Sequence, residues 1–103
     1  MLIDIILVED KEKAAAFYKR LKEELENSTV WPSQYLYKFI IVSEDKKKAA
    51  IEAIFDHSGA IINSKTSANG KYTSISVMVH LKDPDAVIAY YKKVGAIEGV
   101  IAL

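Results

Sequence analysis

The chain has 103 residues, half of them hydrophobic, and its 14 basic and 14 acidic side chains cancel. This length indicates one domain, and the balanced charge gives no support to nucleic-acid binding, which favours a basic surface. The absence of cysteine excludes disulfides, thiolate zinc sites and cysteine nucleophiles, and it agrees with a reducing cytoplasm, where we expect the protein to reside.

The N-terminal stretch LIDIILV, residues 2–8, predicts a buried strand. It has no basic start and no small-residue cleavage site, and no segment approaches ~18 consecutive apolar residues, so we expect neither a signal peptide nor a membrane span. Glu9 and Asp10 end the strand, and Asp10 is the predicted N-cap of a helix over residues 10–27. The apolar stripe of that helix is Ala14, Phe17, Leu21 and Leu25.

A connector over residues 27–34 leads to a strand over Tyr35–Val42, which is rich in aromatic and β-branched residues. Trp31 in the connector fits two interpretations equally well, an exposed recognition element or an aromatic ring folded back onto the core. One face of the strand comprises Tyr35, Tyr37, Phe39 and Ile41, and the other comprises Leu36, Lys38, Ile40 and Val42.

A second helix is predicted over EDKKKAAIEAIFDHSG, residues 44–59, with Ser43 as its N-cap. Gly59 stands where a left-handed C-terminal cap is expected. The predicted apolar stripe of this helix is Ala49, Ile51, Ala53 and Ile54.

Two strands over residues 60–66 and 71–81 flank the sequence SANG, which predicts a hairpin. Asn69–Gly70 favours a type I′ turn, which needs positive φ at both central residues. In the second strand the apolar face is Ile75, Val77, Val79 and Leu81, and the polar face is Tyr72, Ser74, Ser76, Met78 and His80.

The last helix has clear boundary signals, with Asp83 as N-cap, Pro84 in the first turn and Gly95 at the C-terminal cap. Lys92 and Lys93 suit the negative end of its dipole. A final strand is predicted over residues 96–103.

These elements predict an α+β fold. From Tyr35 onward the order βαββαβ, with right-handed crossovers, favours a ferredoxin-like antiparallel sheet with its helices on one face. Within a single domain of residues 1–103, we expect residues 35–103 to form this core and residues 1–34 to add a strand, a helix and a connector.

Three stretches of the chain, WPSQYLYKFIIV, SKTSANGKYTSISVMV and VGAIEGVIAL, together resemble the YbeD-like family of small bacterial proteins. The resemblance covers about residues 17–103. The resemblance implies an ACT-like fold, a type of regulatory domain that binds small ligands and pairs through its sheets, and it implies no catalytic residues. The N-terminal segment lies outside the family pattern, and an extra strand there could occupy a sheet edge, which would block the usual edge pairing. The matching residues are Trp31, Pro32, Tyr37, Lys38, Ser67, Gly70, Tyr72, Ser74 and Ser76.

The hairpin loop Ser64–Lys71 has two interpretations. Its hydroxyls, ammonium groups and backbone N–H groups could hold a phosphate or carboxylate, or it is a polar hairpin tip with solvated lysines. The P-loop spacing is absent. The candidate ligand-binding residues are Lys65, Ser67, Asn69 and Lys71.

The polar sheet face is the candidate interaction surface. A ferredoxin-like fold leaves one sheet face uncovered, and that face meets solvent, a ligand or another chain. RNA is disfavoured because the aromatic signature of RNA-binding sheets is missing. A dimer or another protein partner is the preferred occupant, and the residues concerned are Lys38, Tyr72, Ser74, Ser76, Met78 and His80.

Three further patterns are better explained structurally. Asp56–His57 point about 100° apart on a helix, so they do not form a catalytic pair by spacing. Two distant histidines do not make a metal site. Glu9–Asp10 resemble the acidic pair of receiver domains, but the chain's middle predicts a hairpin rather than the phosphoacceptor strand, so we expect a strand end and a helix cap.

The preferred function is a non-catalytic, ACT-like regulatory domain that senses a small ligand and is a homodimer. The alternative is an adaptor that binds a partner protein through the uncovered face or an edge strand. We expect no enzyme activity, no cofactor, no metal, no nucleic acid and no membrane partner.

Overall fold

The computed structural model describes residues 5–6 and 11–103, with side chains from residue 15 onward. The predicted Asp10 cap, Glu9 and the ends of the predicted first strand lie outside the described residues. The elements are β1 (Ile5–Ile6), α1 (Lys11–Ser28), β2 (Ser33–Val42), α2 (Asp45–Ile54), β3 (Ile61–Thr66), β4 (Tyr72–Leu81), α3 (Pro84–Gly95) and β5 (Ile101–Ala102).

The sheet order is β1-β5-β2-β4-β3, and all neighbouring strands are antiparallel. Without β1, the order is that of a ferredoxin-like sheet, so the predicted fold class is confirmed. β1 pairs with β5, with Ile5 opposite Ala102 and Ile6 opposite Ile101. The extra N-terminal strand therefore occupies a sheet edge, next to β5.

The core lies between the sheet and the three helices. The inward strand residues and one side of each helix share a single hydrophobic cluster, so all three helices cover the same sheet face. The largest fully buried side chains are Leu21, Tyr37, Phe39, Ile41, Ile51, Ile75, Val77, Val79, Val87, Tyr91 and Val94.

Tyr37 is at the centre of this core. Its ring lies 4.7 Å from that of Tyr35, 5.4 Å from that of Phe55 and 4.8 Å from that of Tyr91, centroid to centroid. Its hydroxyl donates a hydrogen bond of 2.8 Å to the Val87 carbonyl on α3. A buried hydroxyl needs such a partner, and this bond fixes α3 against the central strand.

The boundary of α2 differs from the prediction. Glu44 rather than Ser43 occupies the N-cap position, and its side chain makes no capping hydrogen bond. The Ser43 hydroxyl instead lies 2.9 Å from that of buried Thr73, because Ser43 continues β2 beside β4. The helix ends at Ile54, and Gly59, although left-handed with φ of 78°, ends a turn rather than the helix.

The predicted apolar stripe of α2 is half wrong. Ile51 is buried and Ile54 is half-buried, but Ala49 and Ala53 are exposed. The inward side also carries Phe55, which follows the helix and is buried in the core. Residues 51, 54 and 55 follow the 3.6-residue period, whereas 49 and 53 project to the other side.

The last part of the chain contains less regular secondary structure than predicted. Asp83 caps α3 as expected, since its Oδ1 accepts a hydrogen bond of 2.8 Å from the Ala86 N–H. Gly95 is the last helical residue and Ala96 is the C-cap, so the predicted glycine cap is wrong. The glycine with a left-handed backbone in this part of the chain is Gly99, with φ of 78°. The predicted strand of residues 96–103 reduces to Ile101–Ala102.

We expect two substitutions of Tyr37 to separate hydrogen bonding from packing. Tyr37→Phe loses the bond to Val87 and should lower the free energy of unfolding by about 1 kcal/mol. Tyr37→Ala also leaves a cavity between β2 and α3 and should cost about 3–5 kcal/mol. Urea denaturation measures both, and equal losses for the two variants would contradict the central position of the ring.

Candidate interaction surface

The hairpin tip is closed by hydrogen bonds within itself. The Ser67 hydroxyl donates to Asn69 Oδ1 at 2.8 Å and accepts 3.0 Å from the Tyr72 N–H. The Lys71 N–H also donates to Asn69 Oδ1, at 3.0 Å. Two donors of the tip, the Ser67 hydroxyl and the Lys71 N–H, are therefore already engaged by the Asn69 amide oxygen.

The turn type differs from the prediction. The Gly70 N–H donates to the Ser67 carbonyl at 2.8 Å, and only Gly70 has a positive φ, of 75°. A type I′ turn would also need a positive φ at Asn69, which is not observed. The pattern is that of a type I turn followed by a left-handed glycine, another common way to close a hairpin.

The two lysines of the predicted ligand site do not converge with these groups. Lys65 is exposed opposite Ser74 in the β3–β4 pairing. The Lys71 ammonium lies 5.4 Å from the centre of the Tyr72 ring, in a cation–π contact. Ligand binding by Lys65, Ser67, Asn69 and Lys71 stays a prediction, and these contacts do not favour it.

The uncovered sheet face collects all the residues predicted for the interaction surface. The strand pairings place Lys38 opposite Ser76, Gln34 opposite His80 and Val42 opposite Tyr72. The same pairings add residues that the sequence analysis did not include, because their strand neighbours could not be known. These are Ile61, opposite Met78, and Ile101, opposite Ile40.

This face is rich in exposed apolar side chains. Of the seven large hydrophobic side chains exposed among residues 15–103, only Val30 lies elsewhere, in the connector after α1. Ile61 is the most exposed of the other six, at 65%. The six on the uncovered face are Leu36, Val42, Ile61, Tyr72, Ile101 and Leu103.

A cleft of about 540 Å³ lies along β2 where the sheet meets α1 and α3. The indole N–H of half-buried Trp31 donates a hydrogen bond of 3.1 Å to the Leu25 carbonyl, and the ring packs against the core. The same ring also lines the cleft. Of the two interpretations of Trp31, the structure favours packing, with one side of the ring still accessible.

The phenols of half-buried Tyr35 and buried Tyr91 line this cleft. The hydroxyls of Tyr35 and Tyr91 lie 2.8 Å apart. Burial raises the pKa of Tyr91 far above its ordinary value, and the neighbouring Tyr35 adds to the shift. Burial likewise raises the pKa of Tyr35, partly offset by the hydrogen bond from Tyr91. Both side chains are therefore neutral hydrogen-bonding groups at physiological pH.

A second cleft, of about 520 Å³, lies between α1 and α3. Lys22 forms a 3.1 Å ion pair with Asp85 across it, and the Lys92 ammonium lies 5.6 Å from the centre of the Tyr18 ring. The Asp85 carboxylate raises the pKa of Lys22. These contacts join the two helices at the surface, where water and salt screen such pairs.

The remaining polar candidates lie in the turn after α2 and on the uncovered sheet face. Asp56 and His57 are exposed in the turn after α2, where His57 is left-handed with φ of 63°. His80 is exposed on the uncovered sheet face. Within the part of the chain that the structure describes, no group of three or more potential metal ligands comes together, and no helix is long and apolar enough to cross a membrane.

Comparison with known proteins gives one family match. Residues 26–103 match the model of the family described as "Protein of unknown function (DUF493)". The chain belongs to this family. No curated protein and no solved structure matches significantly.

The DUF493 match includes the whole ferredoxin-like core, the connector with Trp31 and the last turn of α1. It leaves out β1 and most of α1, in agreement with the expectation that the N-terminal segment is outside the family pattern. The uncovered face of β2, β4 and β3 is therefore part of the DUF493 region, and so are all residues that line the cleft beside β2 except Leu25.

We expect the buried tyrosines to make the DUF493 domain sensitive to alkaline pH. Tyr35, Tyr37 and Tyr91 have folded-state pKa values raised above the unfolded value, which is about 10. The unfolded chain therefore releases their protons first, so this contribution to stability is full below pH ~10 and is lost as the pH rises further.

Urea denaturation of the wild type and of Tyr91→Phe between pH 7 and 11.5 measures this effect. The variant should have a lower free energy of unfolding at pH 7, because Tyr35 loses its hydrogen-bond partner. Above pH ~10 its free energy of unfolding should fall less steeply than that of the wild type, with a difference in slope of up to ~1.4 kcal/mol per pH unit. Exposed Tyr72→Phe is the control. Parallel curves for wild type and Tyr91→Phe would contradict the raised pKa.

Proposed function

We propose that this DUF493 chain is a non-catalytic protein-interaction domain. Its uncovered sheet face binds a partner surface that carries both acidic and apolar side chains. The observation that supports this most is the placement of six of the seven exposed large hydrophobic side chains of residues 15–103 on that one face. Contiguous exposed apolar surface rimmed by polar groups is typical of interaction sites.

The charges of the face indicate the partner's chemistry. Lys38 and Lys65 lie on it, His80 is at its end, and the described strand residues that share the face include no Asp or Glu. A second copy stacked on this face would bring cations to cations with no carboxylate between them. A partner that carries carboxylates beside apolar groups is therefore favoured over a homodimer.

Phosphate groups are the other anionic candidate, and the face supports them less. Sheets that bind single-stranded RNA stack bases on several aromatic rings. Tyr72 is the one aromatic ring among the described residues that point outward from this sheet. The balanced net charge of the chain gives no long-range attraction to nucleic acid either.

The YbeD-like and ACT-like resemblance supports a regulatory role without catalysis. The small-ligand part of that expectation has weaker support, because Ser67 and Asn69 bond to each other in the hairpin tip and no hairpin residue lines either of the two clefts described above. Protein interaction is therefore the function that the geometry supports best.

Ile61→Asp tests the proposal, with Val30→Asp as the matched control. Both positions carry exposed β-branched residues, at 65% and 89%, but only Ile61 lies on the uncovered face. Both variants should keep the wild-type thermal midpoint. Proteins from the source organism's lysate that the wild-type chain captures should be lost by Ile61→Asp and retained by Val30→Asp.

The partner should also dissociate as salt increases, because cations on the face contribute to binding. Several results would overturn the proposal. The first is that no captured protein shows this pattern. The second is a dimer in sedimentation that Ile61→Asp dissociates. The third is a metabolite that raises the thermal midpoint of wild type but not of the paired variants Lys65→Ala and Lys71→Ala.

A further inference from the structure

One edge of β2 is mostly open. Toward β4 the strand is paired over its whole length, from Ser33 opposite Leu81 to Val42 opposite Tyr72. Toward β5 it pairs only at Phe39 and Ile40, and the Leu103 N–H adds one bond of 2.8 Å to the Lys38 carbonyl. Over residues 33–37, none of the strands that the structure describes lies on this side.

The backbone groups at this edge have a definite direction. In an antiparallel sheet the N–H and C=O of one residue point to the same side, and the side alternates along the strand. Because the Lys38 carbonyl points toward β5, those of Leu36 and Gln34 point the same way. The Ser33 hydroxyl reaches the Gln34 carbonyl at a long 3.3 Å. Such an edge is a template for another strand.

The cleft of about 540 Å³ runs beside this edge and has two walls. On the helix side it is lined by Leu25, Trp31, Tyr35 and Tyr91, and on the other side by Leu36 and Lys38. Its volume is in the range of sites that bind small molecules and short peptides. Because alternate side chains of a strand point to opposite faces, a strand added here would place every second side chain in the aromatic cleft.

We propose that the open edge of β2 over Ser33–Tyr37 binds an extended segment of a partner protein, which adds as a short strand antiparallel to β2 and in line with β5. Its inward side chains are apolar, since they meet Trp31 and Leu25. Its outward side chains are acidic, since Lys38 is the one charged residue lining the cleft. This inference does not rest on the proposed function, because a strand edge rather than the sheet face supports it.

The backbone groups favour a peptide over other occupants. A small molecule would not satisfy N–H and C=O groups on two alternate residues of an extended strand, whereas a peptide backbone does so by its repeat. A second copy that paired its own Ser33–Tyr37 edge here would bring no carboxylate to Lys38, because that edge contains none. The occupant is therefore a partner segment with alternating apolar and acidic residues.

An intramolecular probe tests the edge at high effective concentration. Five residues, Val-Glu-Val-Glu-Val, are appended after Leu103. In the register that places Ala102 opposite Phe39, the valines lie on the side of Tyr35 and Tyr37, and the glutamates lie opposite Leu36 and Gln34. The matched control is Val-Pro-Val-Pro-Val, which removes the two N–H groups that face β2.

We expect the glutamate extension to slow amide hydrogen exchange of Gln34 and Leu36 by about tenfold or more, relative to the unmodified chain. It should raise the thermal midpoint by about 5 °C, whereas the proline extension should change neither quantity. The free peptide acetyl-Val-Glu-Val-Glu-Val-amide at millimolar concentration should protect the same two amides. A Val-Lys-Val-Lys-Val peptide should protect them less.

Three results would overturn the inference. The first is equal exchange at Gln34 and Leu36 with both extensions. The second is strong protection of these amides in the unmodified monomer, which would mean that the edge is already covered. The third is protection that appears only with dimer formation in sedimentation, which would assign the edge to a second copy. Loss of lysate partners in Ile61→Asp bears only on the sheet face, so the two proposals fail separately.

Discussion

The long pairing between β2 and β4 is the constraint on which the rest of this structure depends. Ten consecutive residue pairs join the two strands, and their side chains alternate between the two faces in step. Because the register is fixed, every inward residue of both strands is available to the helices at once. Tyr37 uses this position most fully, since it contacts neighbours on the strand and on two helical segments and bonds to Val87.

The same constraint determines what remains exposed. Three helices lie on one face, so the alternate residues of the sheet have no cover among the described elements. The apolar members of that face are costly to leave in water unless something binds there. The shortness of β5 has a second consequence, because it leaves the β5-facing edge of β2 unpaired over residues 33–37, beside an aromatic cleft. One uncovered face and one open edge thus arise from the same central strand.

The polar residues that first suggest chemistry have mostly structural roles. Ser67 and Asn69 close the hairpin, Ser43 bonds to Thr73, and Asp83 caps α3. The hydroxyls of Tyr35 and Tyr91 lie 2.8 Å apart in the wall of the cleft, where burial keeps both side chains neutral. The recognition that we propose, by shape, apolar area and backbone pairing, does not depend on these internally bonded groups.

The sequence by itself determined the order and type of the elements, because the two-residue and 3.6-residue periods of β2, β4 and α3 are strong and because Asp83–Pro84 is a clear helix start. It also determined which residues share the polar face, since alternation in a strand needs no partner. It failed where local propensity competed with pairing. Ser43 extends a strand contact rather than capping α2, and Ala49 and Ala53 face outward because the sheet selects the Ile51 side. Only the tertiary structure decided that Ile61 and Ile101 join the face and that β5 stops after two residues, because these depend on register between distant strands.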